Sequence, residues 1–294
     1  MDAATTLMNE KDFIVPPGGK IKLSDFDPAH TGPYKNKEQA QSKLVKDVEK
    51  LAQLQDVLYA SHRYAVLIVL QGMDTAGKDS IIKHVMSGVN PQGVHVKSFK
   101  QPSEEELKHD FLWRAVGPLP GRGYIGIYNR SYYEEVLVTR VHTEILLNEG
   151  VTLDPDKKKF WEGRYESINN FERHLLRNGT RVVKFFLNLS REEQKKRLLA
   201  RIDDPSKNWK FSSADIRERA FWKQYRSAFQ DMFRETSSTG APWYVIPADH
   251  KWFSRVAVAD IIVKTLESLK LRYPTLDPRE KADLVKAKNI LQKE

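Results

Sequence analysis

There is no cysteine among the 294 residues. Disulfides, thiolate metal sites and a cysteine nucleophile are excluded, and the composition suits a reducing compartment. No apolar run approaches the length of a membrane span, and the first residues, "MDAATTLMNEKDFIV", are acidic without the apolar stretch of a secretory signal. The expectation is a soluble cytoplasmic protein with no membrane partner. Internal repeats and low-complexity tracts are missing. So are the paired aromatic stacking motifs of RNA-binding sheets, which argues for no nucleic acid as partner.

Positive charge is in excess. Lys and Arg number 48 against 39 Asp and Glu, a net charge of +9. A basic balance points either to a polyanionic partner or to ordinary solubility charge, and the positions of the cations must decide. With 40% hydrophobic residues, the chain can build a sizeable core.

Residues 1–35, rich in Pro, Gly, Asp and Lys, read as an extended arm. Leu44, Val48, Leu51, Leu54 and Leu58 fall at helical spacing within 36–61. "AVLIVLQ" (65–71) is a continuous apolar run, the mark of a strand buried on both faces of a parallel sheet. A helix is expected from Lys78 to about Val89. The alternation then repeats: strands at 94–99, 124–129, 181–189 and 243–247, helices at 103–116, 131–147, 157–177, from 190 onward and at 252–271. Ser103 with Glu106 and Ser190 with Glu193 have capping-box spacing. The charged segment 273–294 reads as a peripheral helix. Alternating strands and helices predict an α/β fold with a mostly parallel five-stranded sheet between helical layers.

"VLIVLQGMDTAGKDSIIKHV" (66–85) carries the clearest chemistry. Gly72, Gly77 and Lys78 satisfy G-x-x-x-x-G-K, directly after a buried strand and directly before a helix. Such a loop (Gly72, Met73, Asp74, Thr75, Ala76, Gly77, Lys78) aims backbone N–H groups, an ammonium and a helix N-terminus at phosphate. The Ser or Thr that usually follows the Lys is replaced by Asp79, which reads as a surface residue favoured by the helix dipole. A carboxylate inside an anion cradle is repelled unless a cation lies beside it. Asp74 is therefore either a Mg²⁺ ligand, direct or through water, or a residue that turns away to cap the loop.

At 124–130 a second strand ends in Asn129-Arg130, where phosphate-loop enzymes commonly place an acidic residue supporting the metal. Arg130 either forks onto a phosphoryl group or pairs with Glu134 or Glu135. Lys97, Lys100, Arg114, Arg122 and Arg140 lie near strand ends and loops. Lys100, Arg122 and Arg130 are expected to converge, and together the cations suggest a track for a long anion; singly, each is a solvated surface charge. Arg197 and Arg201 share a helix face, followed by Lys207, Trp209 and Lys210. This segment reads as a lid over the reacting phosphate, or as an amphipathic helix pair with basic outer faces. Trp209 either stacks on a base or packs the lid. His62, His84, His109 and His142 are scattered and read as bystanders.

"GMDTAGKDS", "YNRSYYEEVLVTRVH", "RLLARIDDPSKNWKFSSADIRERAFWKQY" and "APWYVIPADHKWFSRVAVADII" together resemble the polyphosphate kinase type 2 family, over about 36–272. The resemblance implies a thymidylate-kinase-like phosphate-loop kinase fold, a domain over 36–272 with a helical lid at about 197–235, and Mg²⁺-dependent, reversible phosphoryl transfer from inorganic polyphosphate to a nucleotide. The family's loop Asp and Lys map onto Asp74 and Lys78, its strand-end pair onto Asn129 and Arg130, and its lid arginines, more loosely, onto Arg197 and Arg201. Asn129 departs from the Asp of many members. "NRSYYEEVLVTRVH" resembles the subgroup that acts on both AMP and ADP. Expected partners are polyphosphate and AMP, ADP or ATP, within a homo-oligomer. Met73, Thr75, Ala76, Asn129, Lys207 and Trp209 are expected at the nucleotide and its phosphates; Lys97, Lys100, Arg114 and Arg122 at polyphosphate. An ATP-dependent kinase on the same scaffold and a non-catalytic polyanion- or RNA-binding protein are the alternatives.

Overall fold

The apolar run at 65–71 is a strand buried at every position. Around it the chain runs α1 (Lys37–Ser61), β1 (Ala65–Gln71), α2 (Lys78–Val85), β2 (Val94–Ser98), α3 (Glu104–Leu107), α4 (Trp113–Val116), β3 (Ile125–Asn129), α5 (Glu134–Val141), α6 (Glu144–Asn148), α7 (Lys157–Arg177), β4 (Thr180–Asn188), α8 (Arg191–Asp203), α9 (Ser213–Glu218), α10 (Trp222–Thr236), β5 (Trp243–Pro247), α11 (Lys251–Ser268) and α12 (Pro278–Leu291). This computed structural model describes residues 8–19, 21–151 and 157–294. Of the arm expected at 1–35, residues 1–7 and 20 lie outside the described residues.

Among the described residues the five strands form one sheet in the order β2-β3-β1-β4-β5, every pair parallel. One face packs Val66, Ile68 and Leu70 against α1, α2 and α11; the other packs Leu67, Val69 and Tyr128 against α5, α7 and α10. The result is the α/β sandwich that the alternating pattern implies. Parallel strands bring all their carboxyl ends to one edge of the sheet, where ligands of such folds bind.

The described part of the arm is not extended throughout: single 3₁₀ turns at Glu10–Asp12 and Leu23–Asp25 interrupt it, and it is seated on the sheet. Ile14 bridges Tyr244 antiparallel, Val15 N–H donates to Trp243 O (2.9 Å) and Val245 N–H to Phe13 O (2.8 Å). It covers the outer edge of β5, which would otherwise expose unpaired backbone groups. α12 is exposed along its length.

Three expected helices differ. The segment 103–116 is two short helices, because Asp110 interrupts it: its carboxylate accepts from Leu112 N–H (2.9 Å) and its carbonyl from Trp113 N–H (3.0 Å). The segment 131–147 begins helical only at Glu134 and breaks at His142, whose ψ of 73° is not helical. α2 ends at Val85, not near Val89. Of the two capping boxes, Ser103–Glu106 closes in both directions. Ser190 caps Glu193 N–H (3.1 Å), but the Glu193 carboxylate turns to Arg197 (2.8 Å) and Ser190 N–H goes to Asp249 (2.8 Å).

Candidate active site

β1 ends in a turn that only glycine fits at its first position. Gly72 has φ 153°, and a Cβ there would lie 3.1 Å from Leu187 O and 3.1 Å from Ala76 Cβ. Gly77 (φ 110°) and Thr75 (φ 66°) also lie in the left-handed region. For a β-branched residue this is strained, and such strain collects where a loop must hold a functional shape. The Thr75 hydroxyl is buried without a hydrogen-bond partner. Lys78 folds back over the loop, donating to Gly72 O (2.7 Å) and Met73 O (3.4 Å).

Burial, reinforced by the nearby Arg130 guanidinium, lowers the Lys78 pKa to about 8. The sign of the consequence is fixed. Above that pH the free protein loses the ammonium, so kcat/KM for a phosphorylated donor should fall as pH rises through about 8. A bound phosphate stabilises the charged form, so kcat at saturation should hold to higher pH. Steady-state rates across pH check this; a kcat/KM flat to about pH 10 contradicts it.

Asp74 does have a cation beside it. Arg130, itself at φ 61°, donates from Nη2 to Asp74 (2.6 Å) and from Nη1 to Glu134 (2.9 Å). Glu134, then Asp74, holds its guanidinium above the usual range against the cost of burial. Thus the two alternatives for Arg130 are not exclusive: it is ion-paired, and it lines the cleft. Asp79 is exposed in the first turn of α2, as expected, and there it also accepts from Asn129 (2.7 Å) at the strand end. Gln71 Nε2 donates to Ser131 Oγ (3.0 Å), locking the ends of β1 and β3 together.

Two cavities meet here. The first, about 450 Å³, is lined by the loop from Asp74 to Ser80 and by seven cations: Lys78, Arg130, Arg197, Arg201, Lys207, Lys210 and Lys251. Asp74, Asp79 and Asp215 are its acids. The second, about 660 Å³, has mixed walls that include Gly72, Met73, Phe99, Lys100, Arg114, Leu137, Thr139, Tyr225 and Phe229. Asp74, Arg130 and Asp215 line both. Burial and the neighbouring Asp74 raise the Asp215 pKa, while Arg201 lies 3.2 Å from its carboxylate.

Arg197 is 8% exposed and fully engaged. Nε donates to Glu193 (2.8 Å), Nη1 to Thr75 O (3.0 Å) and Ala76 O (3.2 Å), and Nη2 to Ala248 O (2.6 Å) and Asp249 O (3.0 Å). Lys207 lines the cationic cavity and pairs with Asp204. Trp209 is 77% exposed, donates to Ser206 O (3.1 Å) under the Lys210 ammonium, and lines neither cavity.

Of the three cations expected to converge, Lys100 and Arg130 line the second cavity together and Arg122 does not join them. Arg122 precedes β3 and Arg130 follows it, so about 17 Å of strand separates them. Arg122 lies at the amino edge of the sheet, where His62 meets its carbonyl (3.3 Å). Lys97 is on edge strand β2 over the Phe99 ring, away from both cavities. Arg114 donates to Lys100 O (2.7 Å) and covers Phe99. Arg140 pairs with Asp231 (2.8 Å) over Trp161.

A family model, Polyphosphate kinase 2, matches residues 34–274. The chain belongs to the polyphosphate kinase 2 family. It is 52% identical over 285 residues to an ADP-polyphosphate phosphotransferase of Rhodopseudomonas palustris, covering 96% of this chain and 98% of that one. It is 42% identical to an AMP/ADP-polyphosphate phosphotransferase of Meiothermus ruber, covering 90% and 95%. The crystal structure of polyphosphate kinase 2 from Arthrobacter aurescens superposes with a TM-score of 0.84 at 41% identity, over 92% of this chain and 95% of that one. The phosphate-loop kinase fold follows.

Sequence reasoning missed several residues that line this family member's cavities. Lys251 follows β5 at the carboxyl edge and could have been found by the strand-end rule that singled out Arg130. Lys210 carries no signal beyond its place in the basic segment after Arg201. Glu134 is legible only as a partner for Arg130, yet it lines the second cavity. Asp215 carries no sequence signal, and neither does Gln194, which lines neither cavity but donates to Asp74 O (3.2 Å) behind the loop; only the packing of α8 and α9 over the loop brings them in. His142 bonds to Glu218 (2.9 Å) and His84 to Ser80 O (2.8 Å).

Proposed function

We propose that this polyphosphate kinase 2 family member transfers a phosphoryl group between inorganic polyphosphate and AMP or ADP. The observation that carries the reading is the junction of the two cavities at Asp74 and Arg130: a cationic cleft suited to a phosphate polymer opens onto a larger, partly apolar cavity suited to a nucleoside. The names of the relatives support the same pair of substrates.

The loop N–H groups and Lys78 hold the phosphates, and Arg130 reaches the phosphoryl group from the wall shared by both cavities. Arg201, Lys207 and Lys210, from the segment over the cleft, act as the lid and add positive charge as it closes. A nucleotide phosphate is already a competent nucleophile, so no general base is required, and catalysis is positioning plus electrostatics.

Magnesium fits these residues. Among the described residues no three His, Cys, Asp or Glu form a closed metal cage. Mg²⁺ does not ask for one: it keeps most of its waters and rests on one or two carboxylates plus substrate phosphates. Asp74, whose half-buried carboxylate lines both cavities beside Arg130, offers one such carboxylate, and the unpartnered Thr75 hydroxyl follows it in the loop. Bound there, the ion would neutralise charge on the phosphoryl oxygens. Asp74→Asn should raise the magnesium concentration for half-maximal activity about tenfold. A magnesium titration that overlays the parent's at full kcat removes Asp74 from the metal site.

The deciding assay supplies AMP and ADP separately with polyphosphate and Mg²⁺ and follows ADP and ATP. Product that depends on polyphosphate supports the reading. Transfer only when ATP is the donor replaces it with an ordinary nucleotide kinase.

A further inference from the structure

We propose that α8 is the former on which the phosphate loop is shaped, with Gln194 and Arg197 as positioning residues that hold its backbone in the anion-binding orientation. Three successive loop carbonyls are taken by these two side chains: Asp74 O by Gln194 Nε2 (3.2 Å), and Thr75 O and Ala76 O by Arg197 Nη1 (3.0 and 3.2 Å). A trans peptide is planar, with its C=O and the following N–H opposed. Turning the carbonyls of 74, 75 and 76 toward α8 therefore turns the N–H groups of 75, 76 and 77 away from it. Ala76 N–H is consumed by Met73 O (3.1 Å). The N–H groups of Thr75 and Gly77 have no partner among the described residues and are left for an anion. Released from α8, the same peptides could rotate and present carbonyl oxygens to phosphate.

Arg197 cannot hold the loop and also serve a ligand. A guanidinium has five N–H groups, and all five are engaged by Glu193, Thr75, Ala76, Ala248 and Asp249. Its far end grips the turn after β5, and that turn is braced in its own right. The Asp249 carboxylate accepts from Ser190 N–H (2.8 Å) at the start of α8, and Asp249 N–H donates to Pro28 O (3.0 Å) in the arm. Asn188 Nδ2 donates to Phe26 O (2.7 Å) one strand away. A continuous hydrogen-bonded path thus runs from the amino-terminal arm through Asp249 and Arg197 to the phosphate loop. It also accounts for the half-closed box at Ser190: Glu193 is diverted to Arg197, and Asp249 takes the N–H that Glu193 would have capped.

The kinetic half of the test rests on the phosphoryl-transfer reading; the structural half does not. Arg197→Lys keeps the charge but loses the fork. Amide hydrogen exchange over 72–80 should become about tenfold faster, with β3 and α10 unchanged, and kcat/KM for polyphosphate should fall about 100-fold. Asp249→Ala should raise the polyphosphate KM with little change in kcat, whereas Asp249→Asn, which keeps the accepting oxygen, should follow the parent. Gln194→Ala, a milder change, should loosen the same loop peptide if Arg197→Lys does not fold. Loop exchange equal to the parent's in Arg197→Lys overturns the proposal, and a loss of rate without it makes Arg197 a ligand instead. If the parent protein shows no polyphosphate-dependent transfer, the function fails and the exchange result still decides the role of α8.

Discussion

Arg130→Ala is expected to lower kcat by about 10³-fold, the range found when a guanidinium that stabilises a transferring phosphoryl group is removed. Arg130 stands on the wall common to both cavities, where the proposed donor and acceptor sites would meet. Its side chain is pinned by Asp74 and Glu134, which spares the substrate the cost of ordering it. The backbone should tolerate the change: alanine at φ 61° is no more strained than arginine. Arg130→Lys should recover little, since an ammonium cannot span two carboxylates and a phosphoryl group as a fork does. A thermal melt and circular dichroism close to the parent's, with kcat within about tenfold, would remove Arg130 from the transition state.

Lys78→Ala is expected to cost about 10²–10³-fold in kcat/KM. The half-buried ammonium sits over Gly72 O and Met73 O and lines the cleft, where one charge acts through a dielectric lower than that of water. Folding should survive, because the depressed pKa of about 8 shows that the buried charge is held at a cost in the free protein. Rates and a melt on the same preparation check both halves. A module that merely bound polyanions would lose affinity in proportion to one charge among the seven cations of the cleft.

The local cues in the sequence were enough for the phosphate loop. A run buried on both faces, two glycines and a lysine specify strand, turn and helix within a few residues, and the structure has them at Ala65–Gln71 and Lys78–Val85. What sequence could not reveal depends on which end of an element a residue occupies and on what packs across it. Arg122 and Arg130 flank one strand, and only strand direction separates the ligand edge from the far edge. Arg197 and Arg201 share a helix face on paper. In the folded chain one is buried against loop carbonyls and the other is at the cleft beside Asp215. Asp110 breaks a helix that its neighbours would have continued, because its own side chain competes for the backbone. Lys184 lies within the buried strand β4. It is fully buried, bonded to Glu172 (2.7 Å), Tyr133 (3.0 Å) and Thr236 O (2.8 Å), and those partners come from three separate elements or their ends.

The conformation of Thr75 bears on any attempt to harden this enzyme against heat. A β-branched side chain at φ 66° costs on the order of 1–3 kcal/mol, and asparagine or glycine would relieve much of it. Laboratory selection on melting temperature alone would drift toward those residues and discard a buried, unpartnered hydroxyl of the phosphate loop. Stabilised libraries should therefore be sorted by turnover first, with position 75 held fixed.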